Sequence, residues 1–254
     1  MITIEKYSSA EAVSMHDDWF EIADENHFWM KWRWEKLKQL KSYFLKDNNH
    51  FLEIGCGNGI AVNQIENEFN CIVDGCDLNE PAMLLSKPSR GKKLLYNIYD
   101  KHQLLVNKYD GIILLDVLEH ITNPVDFLST ANMSAKENGL VIINVPAYQW
   151  LYSNYDLYVG HIKRYNKADM EQLMKSSGLE IVKMQYWGAL LIPIAVLRKF
   201  LIANKKEDVI KSGFKPPSKI ADWFLRTLMK IELSLPFSFP FGTSLIAIGK
   251  IKQK

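Results

Sequence analysis

The sequence predicts an α/β fold, a doubly wound and mostly parallel sheet with helices on both faces. Three observations carry it. From His50 onward, short and wholly apolar runs alternate with helix-like stretches. The first run enters a loop with glycine at alternate positions, and later runs end on an acid or a proline. Runs apolar at every position belong to strands buried on both faces. Parallel neighbours also need a crossover, which the intervening helices supply.

Phe51 to Ile54 is the first strand, entering the loop Gly55-Cys56-Gly57-Asn58-Gly59, and a helix follows to about Phe69. Cys71 to Cys76 is the second, ending at Asp77. Asn79 then caps a helix with Pro81 in its first turn, where a missing N–H costs little. Lys93 to Tyr96, Gly111 to Leu115 and Leu140 to Val145 are the third, fourth and fifth strands. Asn123-Pro124 opens a helix before the fifth, which Pro146 stops. A helix around Lys167 to Ser177 and the stop at Gly178 lead to a strand from Glu180 to Tyr186, and Ser244 to Ile251 makes the seventh. Between those two lies a helical insertion at about 188–243, with a turn at Gly213 to Pro217 and a proline-broken stretch from Pro236 to Gly242.

Residues 1–49 carry no strand pattern. From Trp19 to Leu45, the residues Phe20, Phe28, Trp29, Trp32, Trp34, Leu37, Leu40 and Phe44 recur at roughly helical spacing. A helical cover over the core is the expectation, with a lid over a ligand as the alternative. Residues 50–254 then form the main domain.

With 254 residues, 48% of them apolar and 24% charged, the composition is that of an ordinary globular protein. A net charge of +2 gives no basic field for nucleic acid. Cys56, Cys71 and Cys76 are odd in number, lack CxxC spacing and fall in or beside buried strands. They read as reduced packing residues, and no metal is expected. Neither a secretory signal nor a run of about 18 apolar residues is present, so a cytoplasmic location is the expectation.

Glycine tolerates positive φ and lets a ligand approach the backbone, and such a loop at a strand's carboxyl end is where open α/β sheets bind ligands. The dinucleotide fingerprint would read GxGxxG. Here the spacing is GxGxG, preceded by an acid at Glu53. Phosphate is held by helix N–H groups, whereas an acid beside the loop suits a cationic ligand.

Glu53 to Gly59 resembles the first motif of class I S-adenosylmethionine-dependent methyltransferases. Asp77, Tyr99-Asp100, Asp110-Gly111-Ile112 and Leu115-Asp116-Val117-Leu118-Glu119-His120-Ile121 follow in the family's order, the last similar to a segment of its small-molecule (type 11/12-like) branch. The resemblance covers about residues 50–187 and the terminal strand. It implies a seven-stranded Rossmann-like sheet, S-adenosylmethionine as donor and S-adenosylhomocysteine as product. It places Glu53, Gly55, Cys56 and Gly57 about the methionine end and Asp77 on the ribose hydroxyls. Leu78 would lie against adenine, Asp100 with its neighbour Tyr99 at the adenine amino group, and Leu115 and Asp116 beside the donor. Asn97 is a competing match for the adenine position.

Methyl transfer from a sulfonium needs an acceptor held in line and shielded from water. A hydroxyl acceptor also gains from a base near neutral pKa. His120, after the fourth strand, and His161, in the loop after the fifth, are the candidates, each with a scaffold role as the alternative. Pro146 to Tyr165, rich in tyrosine, is the candidate acceptor surface and suits a sugar or another flat-faced polar ligand. Ala189 to Ala203 is mostly apolar, and seven basic residues from Arg198 to Lys219 face only Glu207 and Asp208 in that stretch. Ordinary core or homodimer packing is the first expectation for the segment 189–219, with contact to an anionic membrane or an acceptor-pocket wall as the alternatives. The expected activity is methylation, at oxygen, of a small-molecule or carbohydrate-like acceptor. The alternatives are methylation of a lipid or quinone precursor at a membrane, or a non-catalytic donor-binding module. Glycine spacing disfavours an NAD-dependent oxidoreductase. Asn144-Val145-Pro146-Ala147 does not supply the Asn/Asp-Pro-Pro-Tyr/Phe motif of nucleic-acid methyltransferases.

Overall fold

The computed structural model describes residues 2–11, 25–44, 49–203 and 217–252. Eight strands form one sheet: β1 (Ile4–Lys6), β2 (Asn49–Ile54), β3 (Cys71–Asp77), β4 (Lys93–Leu95), β5 (Tyr109–Leu115), β6 (Ala135–Pro146), β7 (Leu179–Trp187) and β8 (Ser244–Ile251). Their order is β1-β4-β3-β2-β5-β6-β8-β7, with β8 antiparallel to both neighbours and every other pair parallel. The expectation of seven strands is therefore one short. The additional strand, Ile-Glu-Lys, pairs with β4 at the sheet's edge. Three residues with one apolar side chain give no readable pattern; backbone pairing with β4 and the packing of Ile4 against the core hold the strand.

From β2 the chain runs outward through β3 and β4, then returns to β5 on the opposite side of β2. Ligands bind at such a switch point, beyond the strands' carboxyl ends. Side chains alternate between faces with a period of two. Leu52 and Ile54 join one buried cluster with Ile112 and Leu114, while Phe51 joins the other with Ile113 and Leu115. Glu53 therefore shares the face of Phe51, and that face is covered from the N-terminal side.

The cover is α1 (Phe28–Lys38) and α2 (Lys41–Phe44). Trp32 is fully buried with its ring 6.3 Å from that of Trp187, and Phe44 stacks on Phe69 at 4.9 Å. Trp19 and Phe20 lie outside the described residues. Helices α3 (Ile60–Glu68), α4 (Glu80–Leu84), α5 (Pro124–Asn132), α6 (Asn154–Tyr158) and α7 (Lys167–Ser176) connect the strands. Asn79 and Asn123 cap α4 and α5 by accepting from Ala82 N and Asp126 N. The insertion contributes α8 (Ile192–Ile202) and α9 (Lys219–Ser234). Of the turn expected at Gly213 to Pro217, all but Pro217 falls outside the described residues, as does the basic stretch from Lys205 to Lys215. Among the described residues no helix is long and apolar enough to cross a membrane.

Candidate active site

A cleft of about 930 Å³ opens at the switch point, lined by the β2 loop, the ends of β3 and β5, α1, the segment after β6 and both insertion helices. The loop bends tightly because Gly55, Gly57 and Gly59 all have positive φ, at 75°, 50° and 71°. A side chain at Gly55 would also collide with Val117, its Cβ falling 2.6 Å from Cγ2. Asp77 ties this loop to β3. Its Oδ2 accepts from Gly57 N at 2.7 Å, and Oδ1 accepts from Leu78 N and Asn79 N at 2.7 and 2.9 Å. Burial raises the Asp77 carboxyl, and these three amides act against that rise.

Glu53 is buried, and its Oε2 has no hydrogen-bond partner. Burial pushes its carboxyl up to about 7, although Arg33 and Lys93 pull the other way. An orphaned carboxylate oxygen beside the glycine loop fits the ammonium of an amino-acid ligand. Cys56, Leu78, Leu115 and Asp116 also line the cleft. Tyr99 and Asp100 do not. The short turn Ile98–Asp100 carries them outward, so that Tyr99 meets Phe127 edge-on and Asp100 accepts from Ser8 Oγ at 2.5 Å. Asn97, the competing match, lines the cleft together with Ile98.

Two contributors escape sequence reasoning. Arg33 of α1 reaches across the sheet's end to Asp116, Nη1 to Oδ2 at 2.7 Å, with its guanidinium over the Trp29 ring. Asn144 of β6 donates to Asp116 Oδ1 at 2.7 Å and accepts from Trp187 Nε1 at 2.9 Å. A cation inside the aromatic stripe, Trp32-Arg33-Trp34, was the only available signal for the first. Nothing marks Asn144 before the strands are paired.

At the other end of the cleft, Glu119, His120 and His161 converge. His161 Nδ1 lies 2.9 Å from Asp156 Oδ1, and Arg164 Nε donates to the same oxygen at 2.7 Å. Burial would raise the Asp156 carboxyl, but the His161 and Arg164 partners outweigh it and bring it down to about 2. His120 Nδ1 lies 3.1 Å from the Gly160 carbonyl oxygen, and burial, together with His161, lowers its imidazole to about 4. Burial and the neighbouring Asp116 carboxylate push Glu119 well up.

The tyrosine-rich segment contributes less than its composition suggests. Tyr155 lines the cleft, but Tyr148 stacks on Tyr186 at 4.9 Å, and Trp150 is exposed. Tyr165 is buried, donating to Leu118 O, while Tyr152 donates to His161 O. Those hydroxyls hold loops in place. Instead, Leu191, Ile194, Ala195, Leu197, Leu201 and Ile202 from the insertion, with Leu225 of α9, make this end apolar.

Comparison with known proteins agrees with this geometry. A family model described as a methyltransferase domain matches residues 28–184, more than half of the chain. Ubiquinone biosynthesis O-methyltransferase of Glaesserella parasuis serovar 5 is 29% identical over 103 residues, covering 37% of this chain and 43% of that protein. The protein of the same name from Rickettsia canadensis is 30% identical over 96 residues, covering 37% and 41%. The chain thus spans less than half the length of these relatives. A structure of a SAM-dependent methyltransferase from Archaeoglobus fulgidus superposes with a TM-score of 0.57 at 16% identity, over 87% of this chain and 93% of that one. The family match, the glycine loop and the Asp77 anchor lead to one conclusion: this chain belongs to the methyltransferase domain family.

Proposed function

We propose that the enzyme methylates an oxygen of a small acceptor with an apolar body, a lipid or quinone precursor rather than a sugar, taken from a membrane surface. The observation that carries this reading is the division of the cleft. Its donor end holds Glu53 and Asp77, while its acceptor end is walled by α8 and floored by His120 and His161. An apolar wall with a few convergent polar groups selects an apolar ligand and orients one polar atom. The named activity of the two relatives, O-methylation in ubiquinone biosynthesis, supports the same reading.

The chemistry asks little of the protein beyond alignment. In the reading proposed, Glu53 pairs with the donor's ammonium, and Asp77 accepts from two ribose hydroxyls. Asn97 and Ile98 border the adenine. The donor's methyl group then faces the two imidazoles, where the acceptor hydroxyl must lose its proton. The acceptor oxygen forms the new O–C bond as the C–S bond breaks, and the electron pair returns to sulfur.

The walls also face outward. Phe200 on α8, and Ile220, Trp223 and Phe224 on α9, are exposed. Lys199 and Lys219 lie among them in sequence. Apolar helix faces edged by lysine suit the surface of an anionic membrane.

The test is methyl transfer to phenols bearing alkyl tails of increasing length, with vesicles present. A kcat/KM that climbs with tail length supports the proposal. Equal turnover of tailed and untailed acceptors, or a preference for free sugars, defeats it.

A further inference from the structure

Glu119 is fully buried, and neither of its carboxylate oxygens has a hydrogen-bond partner. Buried carboxylates are ordinarily hydrogen-bonded, paired or bound to a metal. His161 Nε2 lies 3.8 Å from Glu119 Oε1. That is too long for a hydrogen bond, yet two ligands of one metal ion commonly stand that far apart. One ligand atom from each of Glu119, His120 and His161 falls within 4.8 Å of the others.

The rings are oriented as metal ligands are. A histidine that binds a metal through one nitrogen characteristically donates its other N–H to a carboxylate or a backbone carbonyl. Here His161 Nδ1 faces Asp156 Oδ1 at 2.9 Å, and His120 Nδ1 faces Gly160 O at 3.1 Å. A carbonyl or ionised carboxylate oxygen can only accept, so in both rings Nδ1 carries the proton and Nε2 the lone pair. The two segments are also fastened together, because Ile162 N donates to Glu119 O at 2.7 Å. All three residues line the cleft, so an ion held by them would keep positions open toward the acceptor.

We infer that Glu119, His120 and His161 form a site for one divalent transition-metal ion of the zinc class, which binds the acceptor oxygen. Two imidazoles and a carboxylate with an open position suit such an ion. The expectation of no metal considered only the cysteines, which are free and buried elsewhere. This inference rests on the O-methylation reading and changes the part played by the histidines. As the acceptor hydroxyl binds the ion, its proton passes to solvent. The oxygen then attacks the donor's methyl carbon, the C–S bond breaks, and its electron pair leaves on neutral S-adenosylhomocysteine. The ion keeps its charge throughout and serves as a Lewis acid.

The experiment uses the full chain, stripped with a chelator and titrated with Co2+ by calorimetry and visible absorption. S-adenosylhomocysteine binding is measured on the same samples. One Co2+ per chain is expected, with a d–d band and displacement by Zn2+. Glu119→Gln and His161→Ala should abolish the band, and Asp156→Asn should weaken Co2+ binding about 10- to 100-fold, all with S-adenosylhomocysteine affinity kept. Failure of the wild-type chain to bind Co2+ stoichiometrically, or equal binding by folded variants, overturns the metal site. Should one variant fail to fold, the wild-type stoichiometry and the remaining variants decide. Failure to bind S-adenosylhomocysteine would instead strike the donor reading, whatever Co2+ does.

Discussion

The two ends of the cleft are built by different means. The proposed donor end is mostly backbone: three positive-φ glycines, a carboxylate held by three amides, and strand ends set side by side. The proposed acceptor end is mostly side chains from segments far apart in the chain, with Glu119 after β5, His161 beyond β6 and Leu197 in the insertion. Backbone constraints leave a spacing in the sequence, because only certain residues tolerate the required angles. A pocket assembled from side chains leaves less: His120 and His161 are legible, but the apolar wall that faces them is not. The donor end should therefore respond steeply to single changes, and the acceptor end in smaller steps.

Asp77→Ala should give the largest effect. It removes a carboxylate that, in the proposed pose, accepts two ribose hydroxyls, and it also releases Gly57 N. Charge-assisted hydrogen bonds contribute roughly 1.5–3 kcal/mol each. S-adenosylhomocysteine affinity should fall about 100-fold or more by calorimetry. A loss of less than about threefold would show that the loop binds without its anchor.

Next in size is Arg33→Met. Breaking a buried ion pair by removing one partner costs about 3–5 kcal/mol. Asp116 retains 19% side-chain exposure and the Asn144 bond, so about 2 kcal/mol is expected here. The measurement is the denaturation midpoint without ligand. The double variant Arg33→Met with Asp116→Asn should recover part of the loss, since the uncompensated charge is then gone. No recovery would mean that α1 is held by its aromatic packing alone.

These two residues show what the sequence could and could not disclose. Asp77 was legible because a strand of seven residues ends on it at a fixed distance from the glycine loop. Arg33 was not, because α1 meets β5 only in space. The strand β1 was illegible for want of side-chain pattern, and the sequence gives no sign of the turn Ile98–Asp100, which carries Asp100 outside the cleft lining. The tyrosines misled in a different way. Composition reports how many aromatic rings a segment carries, whereas their use depends on the direction of each, and Tyr165 points into the core. An apolar helix such as α8 reads equally well as core, membrane contact or pocket wall until its neighbours are known.

A pH effect of intermediate size follows from Glu53. Its carboxyl sits at about 7 because of burial, and a donor ammonium pairs with the ionised form. Donor affinity should therefore weaken as pH falls below 7, by up to tenfold per unit. Stability without ligand runs the opposite way. A carboxyl raised on folding contributes most when protonated in both states, and that contribution is lost as pH rises through 7. The melting temperature should decline from pH 6 to 8, and Glu53→Gln should flatten both trends while weakening donor binding. A wild-type affinity independent of pH between 6 and 8 would place the carboxylate away from the donor.

Leu197→Ser tests the acceptor wall and carries the smallest expected effect. Leu197 lines the cleft yet keeps 59% exposure, so only part of its side chain can lie against a ligand. Each buried methylene contributes about 0.8 kcal/mol, and one or two such contacts give roughly a 4- to 15-fold rise in KM for a long-tailed phenol. Because the tail is held equally in ground and transition states, kcat should not change. An untailed phenol should show neither effect, and donor affinity should be untouched. A fall in kcat for both acceptors would mean that α8 positions the reacting oxygen itself, and the sharp difference drawn between the two ends of the cleft would then dissolve.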